Sequence, residues 1–269
     1  MNIIRKALKR VLRAFGYEVV KSQPIPLLHA FPADFDKVTV ETIKTVAPYT
    51  MTSAERLFAL CEAVRYVVQH RIPGDIVECG VWKGGSMMAI ARTLLENSDK
   101  SRSLYLFDTF TGMAPPQDID VTVDGVAAAD IGATLEREGD KWCLAGVEEV
   151  RAGMRSTGYD PSLLHYIEGR VEDTIPAHAP GLISLLRLDT DWYESTRHEL
   201  IHLFPRLSNG AVLIIDDYGF WKGCRKAVDE YFSEHRIPLL LNRIDNTGRI
   251  AVVHRVDSMN HSRSRPSLT

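Results

Sequence analysis

The chain has 269 residues, 45% apolar and 25% charged, with a formal net charge of −3. That balance excludes a wholly disordered chain, gives no reason to expect nucleic acid as a partner, and supplies enough core to fold without disulfides. Four cysteines, Cys61, Cys79, Cys143 and Cys224, stand far apart with no C-x-x-C pair, which argues against a zinc ribbon, a redox motif or a disulfide scaffold and points to a cytoplasmic protein.

Residues 1–15 carry five basic side chains, Arg5, Lys6, Lys9, Arg10 and Arg13, and no acidic one. They lack the unbroken apolar centre of a signal peptide. At 100° per residue Ile4, Leu8, Val11, Leu12 and Phe15 share one arc and the basic residues the other, so the stretch reads as a basic amphipathic helix. It suits peripheral contact with the inner face of an anionic membrane, and equally docking on its own domain or another subunit. Residues 22–50, with Pro24, Pro26, Pro32 and Pro48, read as an irregular connector. The expected organisation is therefore an N-terminal helix and connector over residues 1–48, one main domain over 49–254, and a polar, flexible tail over 255–269.

Thr52-Ser-Ala-Glu55 has the capping-box pattern, and Leu57, Leu60, Cys61, Val64 and Val68 follow at helical spacing, predicting a helix over about 53–70. Pro73-Gly74 stops it. Residues 75–79 read as a buried strand, Gly80-Val-Trp-Lys-Gly-Gly85 as a glycine-rich turn, and 86–95 as a helix. Strands and helices then alternate: strands at 103–107, 164–167, 183–188 and 211–215, helices near 147–155, 193–205 and 222–235. This alternation predicts a mostly parallel sheet covered by helices. Residues 238–242 and 249–253, flanking Asp245-Asn-Thr-Gly248, read as antiparallel strands closing one edge. Residues 109–145 are too long for an ordinary βα loop and read as a lid insertion over the C-terminal edge of the sheet.

Ligands of open α/β sheets bind beyond the carboxyl ends of the strands, and there the acidic residues collect. Glu78 ends the first strand and Asp108 the second, Asp189 and Asp191 follow the fourth, and Asp216 and Asp217 end the fifth. The turn from Gly80 through Val81 to Ser86 lets a ligand approach backbone amides at a helix start. Its spacing fits neither a P-loop nor G-x-G-x-x-G, which disfavours ATP and NAD. By itself such a turn is equally a structural feature. Asp108 is placed to accept two ribose hydroxyls. If the two strands are neighbours, the four carboxylates at their ends converge and would repel unless a hard cation such as Mg²⁺ joins them; capping of the following helices accounts for one or two of the aspartates but not the set.

Two further patterns compete. His198-Glu-Leu-Ile-His202 matches H-E-x-x-H on a predicted helix, yet no third zinc ligand stands at a recognisable spacing, and it reads as coincidence. Asp189-Thr-Asp191 matches the short D-x-D of metal-dependent glycosyltransferases that use sugar nucleotides, the main alternative function. A non-catalytic adaptor on the same fold would have lost the acidic set.

The stretches Thr50-Met-Thr-Ser-Ala-Glu-Arg56, Asp75-Ile-Val-Glu-Cys-Gly-Val-Trp-Lys-Gly-Gly85, Leu106-Phe-Asp-Thr-Phe110, Leu186-Arg-Leu-Asp-Thr-Asp-Trp-Tyr-Glu-Ser-Thr196 and Ile214-Ile-Asp-Asp-Tyr-Gly219 resemble those of the macrocin O-methyltransferase (TylF) family, over about residues 49–254. The resemblance implies a Rossmann-like class I methyltransferase with a mostly parallel seven-stranded sheet, an antiparallel edge strand and helices on both faces. It also implies that the enzyme uses S-adenosylmethionine and Mg²⁺ to methylate a sugar hydroxyl and works as a homo-oligomer. Carried over by motif, it makes Asp189, Asp216 and Asp217 the metal ligands and Asp191 the base or a further ligand. Met51, Glu78 and Gly80 fall at the methionine end of the cofactor, Asp108 at its ribose, and Val171 and Glu172 at its adenine. The basic start lies outside this resemblance and is similar to the starts of enzymes that modify bacterial cell-surface polysaccharide, so the expected acceptor is a glycosylated small molecule or a polysaccharide precursor.

Overall fold

A computed structural model describes residues 31–139 and 141–254; the basic start at 1–15 and the tail at 255–269 lie outside the described residues. The main compact unit begins at Lys37. Its first helix, α1 (Lys37–Val46), and a 3₁₀ turn (Ala47–Tyr49) occupy what the sequence predicts to be irregular connector. Two of the four residues that α1 buries are threonines, Thr39 and Thr42, beside Ile43 and Val46, so its inward face carries a weak apolar signal. Pro48 enters at the start of the 3₁₀ turn, where a missing N–H costs nothing.

The remaining elements follow the predicted alternation closely. Helix α2 (Ala54–Gln69) precedes β1 (Asp75–Cys79), then come α3 (Gly85–Glu96), β2 (Leu104–Asp108), α4 (Ala128–Arg137), α5 (Val147–Ser156) and β3 (Leu164–Glu168). A single turn, α6 (Val171–Thr174), leads to β4 (Ile183–Leu188), α7 (Tyr193–Leu203), β5 (Leu207–Ile215), α8 (Lys222–Glu234), β6 (Asn242–Arg243) and β7 (Arg249–Val253). The α2 cap is Ser53, whose hydroxyl accepts from the Arg56 amide at 3.2 Å. Thr52, which opens the predicted capping box, is thereby left for another task.

The strands form one seven-stranded sheet in the order β3-β2-β1-β4-β5-β7-β6. Strands β1 to β5 run parallel, and β7 is antiparallel to both β5 and β6. Helices α1, α2, α3 and α5 pack together as one layer, and α6, α7 and α8 as another. Successive strand residues alternate between faces. Val77, Cys79, Leu186, Leu188, Leu213 and Ile215 join the core shared with α7 and α8, so Glu78 and Arg187 project to the opposite face, beneath α2. Strand order reverses between β1 and β4, which places the crevice for a ligand between their C-terminal ends.

The insertion at 109–145 is fastened at its base. Asp120, fully buried, accepts from the Gln117 and Tyr193 amides, both at 2.8 Å, and so caps α7 from within the insertion. Trp192 Nε1–H donates to the Ala114 carbonyl at 2.8 Å, and Trp142 meets the Trp192 ring edge-on at 5.6 Å. Among the described residues no helix is long and apolar enough to cross a membrane.

Candidate active site

Beyond the C-terminal ends of β1, β4 and β5 opens a cleft of about 830 Å³. Met51, Gly80, Val81, Ser86 and Asp108 line it, together with Asp189, Asp191, Asp216 and Asp217, and the insertion contributes Met113, Ile131, Leu135 and Trp142. A narrower hollow of about 70 Å³, lined by Val171, Glu172, Thr190 and Trp192, shares Gly80, Asp108 and Asp189 with the cleft. Apart from Glu78, the residues expected at the methionine, ribose and adenine positions thus lie along one continuous surface.

Gly80 shows why its turn needs glycine. Its φ is +83°, and a Cβ there would stand 2.0 Å from the Asp189 carbonyl oxygen. The absent side chain lets the ends of β1 and β4 touch. Asp108 organises the same turn: Oδ2 accepts from the Val81 and Trp82 amides at 2.7 and 2.9 Å, and Oδ1 from Phe110 at 2.7 Å. The residue expected to hold ribose hydroxyls thus orders the backbone of the glycine turn.

Carboxylate oxygens of Asp189, Asp191 and Asp217 all lie within 4.8 Å of one another. Asp217 Oδ2 is buried with no hydrogen-bond partner. Burial, then the neighbouring charges of Asp191 and Asp216, push the Asp217 carboxyl well above its ordinary range. Burial and the charge of Asp189 push Asp191 up to about 7. An acidic trio with an orphaned oxygen fits a hard divalent cation, which would relieve both the repulsion and the missing partner.

The membership of this trio differs from expectation. Asp216, expected as a ligand, is engaged by two guanidiniums, while Asp191, expected as the base or a further ligand, takes part in the convergence. Arg187 donates to Asp216 Oδ1 and Asp189 Oδ2, each at 2.6 Å, to Glu78 Oε1 at 2.5 Å and to Thr52 Oγ1 at 3.0 Å. Arg56 donates to the other Asp216 oxygen. Glu78, 1% exposed, lies below the cleft surface and reaches it only through Arg187; burial pushes its carboxyl up to about 7 against the pull of that guanidinium. Sequence reasoning missed both arginines. The signal was Arg187 itself, a charge inside the otherwise apolar β4.

Arg56 also pairs with Asp245 at 3.0 Å, whose Oδ1 accepts from the Thr247 and Gly248 amides and whose Oδ2 accepts from the Ser53 hydroxyl. Burial opposes ionisation, yet these donors and Arg56 outweigh it and hold the carboxyl at about 2. A lowered folded-state pKa stabilises above the unfolded value and loses its effect as pH falls through the folded one. The stability difference between the wild type and Asp245→Asn is expected to be constant above about pH 5 and to shrink between pH 4 and 2, as measured by thermal melts. A pH-independent difference would contradict the network.

The H-E-x-x-H residues do not form a metal site. His198 Nε2 meets the Ile175 carbonyl at 2.9 Å, and Glu199 is turned into the core, 0% exposed. Among the described residues, the aspartate trio is the only candidate metal cluster.

Comparison with known proteins finds one family and several relatives. The family profile described as Macrocin-O-methyltransferase (TylF) matches residues 6–253. The chain is 35% identical over 200 residues to the 8-demethyl-8-(2,3-dimethoxy-alpha-L-rhamnosyl)-tetracenomycin-C 4'-O-methyltransferase of Streptomyces olivaceus, covering 74% of each chain. It is 31% identical over 242 residues to the mycinamicin III 3''-O-methyltransferase of Micromonospora griseorubida, covering 90% of this chain and 92% of that one. Among solved structures, the O-methyltransferase NovP superposes with a TM-score of 0.66 at 32% identity, covering 77% of this chain and 83% of NovP. The match begins at residue 6, so nearly all of the basic start lies inside the family's length rather than outside it. That corrects the sequence reading and removes its ground for setting this chain apart from relatives that act on antibiotics.

Proposed function

The chain belongs to the macrocin O-methyltransferase (TylF) family, and on that premise we propose that it transfers the methyl group of S-adenosylmethionine to a hydroxyl of a sugar carried by a small molecule. The acceptor class rests on the relatives, whose names specify a rhamnosylated tetracenomycin and a mycinamicin. The observation that carries the reading is the aspartate trio, set at two neighbouring strand tips beside a cleft that continues into the hollow at Val171 and Glu172. Family membership disfavours the sugar-nucleotide glycosyltransferase alternative.

We assign the methionine end of the cofactor to the wide cleft at Met51, Gly80, Val81 and Ser86, its ribose to Asp108, and its adenine to the narrow hollow. Asp189 and Asp217 would hold magnesium, with Asp216 set behind them by Arg187 and Arg56. Magnesium would supply Lewis acidity that lowers the pKa of an acceptor hydroxyl. Asp191, half-buried and lining the cleft, takes the proton as general base. Trp82, Trp142 and Trp221 wall the cleft and exclude bulk water, which strengthens every charge interaction inside. Holding the sulfonium methyl in line with the acceptor oxygen would contribute several kcal/mol.

Calorimetric titration with S-adenosylmethionine and with UDP-sugars tests the cofactor. Binding of the first and not the second is expected; the reverse would sink the proposal. Mass spectrometry of glycosylated metabolites incubated with the enzyme and cofactor should then show a gain of about 14 Da, one methylene, which disappears with EDTA and returns with Mg²⁺.

A further inference from the structure

The strand end carrying two of the clustered carboxylates is bent into an unusual turn. Asp191 has φ +68°, and the Trp192 amide donates back to the Thr190 carbonyl at 2.8 Å. A three-residue turn with a positive central φ is the rare, strained form of the γ-turn. Such a conformation persists only where its surroundings over-determine it. On one side the Gly80 backbone leaves no room for a side chain beside the Asp189 carbonyl. From the core side, the Thr190 hydroxyl donates to Glu199 Oε1 at 2.9 Å.

Glu199 is a costly residue to keep there. It is 0% exposed, its Oε2 has no hydrogen-bond partner, and burial holds its carboxyl well above the ordinary range. Leucine or methionine at this place on α7 would satisfy the core better. The sequence pattern that suggested a zinc ligand is instead a carboxyl aimed at the middle residue of Asp189-Thr190-Asp191.

We infer that Glu199 is a positioning residue, which holds Thr190 from beneath the sheet and so fixes the directions in which Asp189 and Asp191 present their carboxylates. It touches neither cofactor nor acceptor. The inference rests on the reading above of Asp189, beside Asp217, as a holder of the cation.

Mn²⁺ binding, followed by electron paramagnetic resonance with Mn²⁺ alone, tests it without turnover. Glu199→Met keeps the size and removes the acceptor; it is expected to weaken Mn²⁺ binding at least tenfold while S-adenosylmethionine affinity stays within threefold and the melting temperature does not fall. Glu199→Gln, which retains an oxygen for Thr190, is expected to bind Mn²⁺ within threefold of wild type. Thr190→Val should reproduce the tenfold loss, and combining it with Glu199→Met should add nothing. Wild-type Mn²⁺ affinity in either Glu199→Met or Thr190→Val overturns the inference, as does an equal loss in Glu199→Gln and Glu199→Met. Should Glu199→Met fail to fold, Thr190→Val decides alone. No Mn²⁺ binding by the wild type would instead bring down the cation reading itself, and this inference with it.

Discussion

Replacing Asp191 with asparagine is expected to lower kcat about 10²- to 10⁴-fold, the range that a general base contributes, while S-adenosylmethionine still binds. The same variant should not be less stable. Asp189, Asp191 and Asp217 crowd their negative charge into one corner; Arg187 answers Asp189, and removing the Asp191 charge relieves repulsion that this one guanidinium leaves in place. In EDTA, Asp191→Asn is expected to gain about 1 kcal/mol over wild type, as active-site acids removed in this way commonly yield. Steady-state kinetics and urea unfolding read the two effects separately. A kcat within tenfold of wild type would take the proton-accepting role away from Asp191.

Arg187→Met should destabilise the protein strongly. Its guanidinium is 2% exposed and answers Glu78, Asp189 and Asp216 at once. Removing one side of a buried ion pair leaves uncompensated charge behind and typically costs about 3–5 kcal/mol. Arg56 remains on Asp216, but Glu78 loses the one partner of its Oε1 and already has an unpartnered Oε2. Adding Glu78→Gln to Arg187→Met is therefore expected to recover part of the loss, because the two residues act as a unit. Arg187→Lys should fall between: a compact ammonium cannot fork across three carboxylates and the Thr52 hydroxyl. A loss below about 1 kcal/mol in Arg187→Met would mean that solvent screens this network far more than its burial implies.

Most of the secondary structure was readable because it follows from short-range patterns. The apolar spacing from Leu57 to Val68, the Pro73-Gly74 stop and the glycine turn after β1 set α2, β1 and α3 within a residue or two of where they stand. Helix α1 escaped because half of its buried face is threonine. Within the insertion α4 escaped too: it fully buries Ala128 alone, and its short stripe of Ala128, Ile131 and Leu135 lies inside a segment whose length and prolines read as a loop. The predicted strand at 238–242 shrank to Asn242–Arg243, with Leu240 left 75% exposed at the edge of the sheet.

The acidic residues of the site were legible for a different reason. Carboxylates that follow apolar strands stand at the sheet's C-terminal rim whatever the rest of the chain does, and alternation of strands and helices makes that rim the ligand side. The sequence by itself thus determined the α/β architecture, the location of the site and the candidate set of Glu78, Asp108, Asp189, Asp191, Asp216 and Asp217. Only the tertiary structure decided how that set divides: Asp189, Asp191 and Asp217 converge, Asp216 and Glu78 answer Arg187, Asp108 orders the glycine turn, and Glu199 leaves its apparent zinc motif to grip Thr190. The physical reason is that a charge's role depends on what lies within a few ångström of it. Those neighbours, such as Arg56 and Asp216, 160 positions apart in the chain, are brought together by packing rather than by any pattern along the backbone.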